Sequence, residues 1–104
     1  MFGFGMSEDM RNKKMHKKFM GLASALESAM LYNDASRYDL MVDAAVELRN
    51  MLKGGEVDLS RADKVRVVKS ITKAKVKAFM DGTPDSYRTF KALDSISSDL
   101  VQLL

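Results

Sequence analysis

Apolar residues along this chain recur three and four positions apart rather than in alternation, the pattern of helices with one buried face and not of half-buried strands. Met15, Phe19, Leu22, Ala23, Leu26, Ala29 and Met30 fall within about 120° of one another on a helical wheel, the width of a core-facing stripe. Tyr38, Met41, Ala44, Ala45, Leu48 and Met51 repeat the pattern. Val42, Val46 and Leu52 widen that second stripe to almost half the circumference, which predicts contact with two neighbours. A third run is split: Val67, Ile71, Ala74 and Ala78 form one apolar stripe, Val65, Val68, Val76 and Phe79 another, and Lys64 and Lys75 project between them. Tyr87, Phe90, Leu93, Ile96, Leu100, Val101 and Leu104 share a face of a fourth helix.

Helix-terminating residues stand between these runs. Ser7 caps the first helix, with Glu8 and Asp9 at the positive end of its dipole. Ser36, or Asp34 before it, caps the second, with Asp39 three residues after Ser36 in the manner of a capping box, and Gly54-Gly55 stops it. Asp58 or Ser60 opens the third and Asp81-Gly82 closes it. Thr83-Pro84 places a capping hydroxyl before a proline whose missing N–H costs nothing at the first helical position. The expected fold is all-α: a compact four-helix bundle with helices near 7–32, 36–53, 59–80 and 84–103, antiparallel or partly orthogonal. A flexible segment, 1–6, precedes a single helical domain, 7–104.

Composition narrows the chemistry. With 104 residues, 46% of them hydrophobic, the chain supports one core and little room for a deep pocket. It has no cysteine and one histidine, which excludes a disulfide framework, a cysteine nucleophile and a site built on several histidines. His16 stands in a basic stretch without an acid three or four residues away, so the expectation is an exposed side chain with no catalytic role. No serine stands in a Gly-x-Ser-x-Gly elbow, no glycine-rich phosphate loop is present, and no cofactor or metal is expected. The chain shows neither an apolar run of membrane-spanning length nor a basic segment followed by a short apolar stretch at its start, so the expected location is the cytoplasm.

The net charge of +3 conceals segregation. Residues 56–80 carry Arg61, Lys64, Arg66, Lys69, Lys73, Lys75 and Lys77 against Glu56, Asp58 and Asp63. Arg66, Lys69, Lys73 and Lys77 lie within about 80° of one another, opposite the Val67/Ile71 stripe, as a ridge suited to phosphates, to an acidic protein or to water alone. Lys13, Lys14, Lys17 and Lys18 add to it if the surface binds nucleic acid. Asp39, Asp43 and Glu47 form an acidic ridge four residues apart on the second helix, without a histidine in metal-binding register. A helix-turn-helix is disfavoured, because the connection from Lys53 to Asp58 is long and the bases of the third helix sit past its start.

Nine methionines exceed ordinary usage. Met10 and Met20 lie off the core arc of the first helix and, with Phe2 and Phe4, suit an adaptable partner contact. The leading expectation is a small non-enzymatic protein–protein interaction module, an adaptor or inhibitor. It is expected to form an oligomer or bind a larger protein through Val65, Val68 and Val76 and the Met/Phe-rich N-terminal segment. Composition alone associates such chains with accessory proteins of phages and mobile elements. The alternative is a nucleic-acid-binding protein that uses the basic ridge.

Overall fold

A computed structural model describes residues 8–104 of the chain. Four helices account for its regular structure: α1 (Glu8–Ala29), α2 (Ser36–Lys53), α3 (Arg61–Asp81) and α4 (Pro84–Leu103). They form the expected four-helix bundle, with no strand among the described residues. α1 packs on α2 and α3, and α4 packs on α3 and α2, leaving α1 and α4 on one diagonal and α2 and α3 on the other.

Pairs of side chains across the interfaces fix the helix directions. Lys75 meets Asp94 and Phe79 meets Phe90, so α3 and α4 run antiparallel as a hairpin joined by Gly82 and Thr83. His16 reaches Asp63, and Glu27 reaches Ser70, so α1 and α3 run parallel. Arg49 reaches Asp99 while Tyr38 and Val42 lie beside Thr89, so α2 and α4 also run parallel. Two antiparallel hairpins are thus laid side by side.

The core is drawn from every stripe. Phe19, Leu26, Met41, Leu48, Val67, Ile71, Leu93 and Leu100 are fully or almost fully buried. Each such side chain contributes about 1.5–3 kcal/mol of transfer free energy. On α4 the wide apolar arc is corrected to a narrower one. Leu93, Ile96 and Leu100 are buried with Ser86, Thr89 and Ser97, whereas Tyr87 and Val101 stand more than half exposed. α4 has partners on two sides only, and these two residues lie on the edge that turns past α3 to solvent.

The ends follow the expected chemistry at four of the boundaries seen, α2 stopping at Lys53 before Gly54-Gly55. Ser60 Oγ accepts from the Asp63 amide at 3.2 Å, and Thr83 Oγ1 accepts from the Ser86 amide at 3.0 Å while Ser86 Oγ accepts from the Thr83 amide. Gly82 closes α3 at φ +67°, a left-handed conformation that costs glycine nothing. The start of α2 differs. Ser36 is the first helical residue rather than the cap, and no Ser36/Asp39 capping box forms. Instead the Asp34 carboxylate takes both the amide of Ser36, at 3.0 Å, and its hydroxyl. α1 also ends earlier than its apolar pattern predicts, because bonds from Leu31 N to Ser28 O and from Tyr32 N to Ala29 O tighten the chain into a turn. Ser7 lies outside the described residues.

Candidate interaction surface

The split face of α3 resolves into an inner and an outer stripe. Val67 and Ile71 are 0% and 1% exposed, whereas Val65, Val76 and Phe79 are 49%, 55% and 58% exposed. A helix flanked by α1 and α4 has one arc left over, and α3 fills that arc with valine and phenylalanine.

α4 continues the outer stripe across the seam. At one end Val65 and Val68 join Val101 and Leu104 around a shallow hollow of about 410 Å³, with Lys64 and Lys69 on its margin. At the other end Val76, Phe79 and Phe90 line a second hollow of about 260 Å³ with Lys75. The Phe79 and Phe90 rings pack 5.3 Å apart, the Tyr87 ring lies 6.1 Å from Phe90, and Lys91 Nζ stands 5.7 Å from the Tyr87 ring centre. Between the two apolar ends Lys75 Nζ binds Asp94 Oδ1 at 2.9 Å. Lys64 and Lys75 therefore lie along the seam, as their places between the two stripes predict.

The α4 half of this surface, Tyr87, Phe90, Val101 and Leu104, was not distinguished by sequence from the α4 core. One signal could have separated them: Tyr87 and Ile96 lie about 180° apart on the wheel, too far for one buried stripe.

Other candidate residues are placed as follows. Met10 is exposed in the opening turns of α1. Met20, expected at a partner contact, is instead half-buried against the core, because its side of α1 turns toward α3. Phe2, Phe4 and segment 1–6 lie outside the described residues. Lys13, Lys14, Lys17 and Lys18 are exposed along α1.

The basic ridge does not stand free. Parallel packing brings α1 alongside it, so Glu27 lies 4.0 Å from Arg66 and 3.9 Å from Lys73, and Arg66 also donates to Ser24 Oγ at 3.1 Å. Lys77 binds Asp81 at 3.2 Å. Lys69 alone of the four has no carboxylate partner among the described residues. The acidic ridge Asp39, Asp43 and Glu47 is exposed on α2, across the diagonal from these bases.

His16 corrects another expectation: its Nε2 lies 2.7 Å from Asp63 Oδ2, so it has a carboxylate partner 47 residues away. The hydrogen bond from His16, helped by Ser60, holds the Asp63 carboxyl below the ordinary carboxylate range against the opposing effect of burial. This pair joins the start of α3 to α1.

Another groove of about 410 Å³ separates the starts of α2 and α4, but its lining mixes Ala35, Val42 and Ala92 with Asp39, Asp85 and Arg88, and Arg88 is paired with Asp85. Among the described residues no three histidine or acidic side chains converge as a metal site would require, and no helix is long and apolar enough to cross a membrane. Comparison with protein-family models, with curated proteins and with solved structures found no match to the chain.

Proposed function

We propose that this protein is a non-enzymatic interaction module, an adaptor or inhibitor in the cytoplasm, and that its working surface is the seam between α3 and α4. One observation carries the reading: Val65, Val76, Phe79, Tyr87 and Val101, each about half exposed, form two apolar patches on one face of the α3–α4 hairpin, where the bundle leaves them uncovered. Apolar residues scattered singly on a surface need no explanation, but apolar patches gathered on one face and rimmed by charge mark a contact site.

The nucleic-acid alternative draws on the same helix and has less support. Three of its four ridge cations already face Glu27 or Asp81, so a phosphate would compete with carboxylates for them.

Photo-crosslinking in native host lysate tests the proposal, with a benzophenone amino acid replacing Val76 and, as control, replacing Asp43 on the exposed face of α2. The expected result is a protein adduct of discrete mass from position 76, absent from position 43 and unchanged by nuclease. A nuclease-sensitive adduct would transfer the function to the basic ridge. Equal labelling at both positions, or none, would remove the seam as the working surface.

A further inference from the structure

Resting on that reading of the seam, we infer that its occupant is an acidic amphipathic helix of a partner protein. The rim of the seam is cationic and largely uncompensated. Lys64 and Lys69 flank the valine end and Lys91 stands beside Tyr87 at the aromatic end, and none of the three has a carboxylate within 4.0 Å among the described residues. Their neighbours Lys73, Lys75 and Lys77 all do. Asp94, in the middle of this face, is held by Lys75, and Asp58 lies beyond the valine end, in the adjoining hollow that Lys64 and Leu104 also line. Unpaired cations on both ends of an apolar floor are complementary to a segment with an apolar face and acidic flanks.

The shape matches a helix. From Val65 to Phe79 the seam runs along four turns of α3, roughly 21 Å, and the groove between two packed helices takes a third by fitting ridges into grooves. A helix satisfies its own backbone hydrogen bonds and needs only side-chain anchors from this surface, which displays no free backbone edge. Apolar anchors belong at both ends of such a segment. A polar side chain belongs in the middle, opposite Thr72 and the Lys75–Asp94 pair, which interrupt the apolar floor.

A second copy of this chain fits poorly. It would set one lysine rim against another, and like charges juxtaposed across an interface are costly.

The test uses a display library of helix-forming 18-residue peptides, randomised at the anchor and flanking positions and selected against the purified full chain. Enriched peptides are expected to carry Asp or Glu beside the apolar positions, and their capture should fall about tenfold or more on Val76→Asp. On the Lys69→Glu/Lys91→Glu protein the flanking preference should invert to Lys or Arg. This second readout involves only exposed side chains, so it survives if Val76→Asp perturbs folding. Neutral or basic flanks on the unaltered protein would overturn the inference while leaving the seam a docking surface. Failure to enrich any peptide over the Val76→Asp protein would overturn both readings. Sedimentation as a dimer that Val76→Asp dissociates would name a second copy as the occupant and overturn the acidic helix.

Discussion

Tyr38 Oη donates a 2.7 Å hydrogen bond to Asp81 Oδ2, joining the first turn of α2 to the last residue of α3 across the diagonal of the bundle. Arg37 donates to the same oxygen at 2.7 Å, and Lys77 holds the other carboxylate oxygen at 3.2 Å. Asp81 thus closes one end of the molecule. Tyr38→Phe should cost about 1.5 kcal/mol, the value of a hydrogen bond to a charged group. Asp81→Ala should cost about 2–3 kcal/mol, because it also removes the carboxylate partner of Arg37 and Lys77. At roughly 4–8 °C per kcal/mol for a domain of this size, calorimetry resolves both. An Asp81→Ala protein that melts with the parent would refute the clamp.

The same group sets an acid limit. Burial pushes the Asp81 carboxyl up, but hydrogen bonds from Tyr38 and Lys77 and the charge of Arg37 outweigh it and hold it below the ordinary range. Asp63 shifts the same way through His16. A carboxyl with its folded pKa below its unfolded value, about 3.9, contributes stability that is complete above that value and lost as pH falls through the folded pKa. Melting temperature should therefore fall below about pH 4. In Asp81→Asn that part of the fall should be shallower, which melts taken from pH 6 to pH 2 would reveal.

The two stripes of α3 should respond oppositely to the same change. Val67→Asp places a carboxylate in a fully buried position and should unfold the protein. Val76→Asp, on the outer stripe, should keep stability within about 0.5 kcal/mol of the parent. Circular dichroism melts of the pair decide the matter, and unfolding by both would mean that the outer stripe is structural after all.

The α3–α4 corner carries two separable contributions. Thr83→Ala removes the acceptor for the Ser86 amide and should cost about 1 kcal/mol. Gly82→Ala should cost about 1–2 kcal/mol for conformational reasons alone, since the added Cβ would meet nothing nearer than the Met80 carbonyl oxygen at 3.9 Å. Urea titrations of the two variants and their combination test additivity, and a neutral Gly82→Ala would contradict the left-handed corner.

Local periodicity and capping chemistry made much of this legible. The inner stripe of α3, the Thr83-Pro84 start of α4 and the core of α2 follow from spacing, because an isolated helix already has its faces. The order of helices around the bundle does not follow, since a stripe states that a face is covered and not by which neighbour. His16 and Asp63, 47 residues apart, meet only because α1 and α3 run parallel, and Glu27 reaches Arg66 and Lys73 for the same reason. Tyr87 and Val101 read as core while Met20 read as surface: each lies near the boundary of its arc, where the tilt of a neighbouring helix decides burial.

The corner of only Gly82 and Thr83 between α3 and α4 also sets the order in which the seam assembles. Phe79 and Phe90 are separated by eleven positions, whereas Val65 and Leu104 at the far end are separated by thirty-nine. Loop-closure entropy rises with that separation, so the hairpin zips from its aromatic end, each contact shortening the loop that the next must close. The seam is therefore built from one contiguous stretch of chain, and its valine end is the last to form and the first to fray.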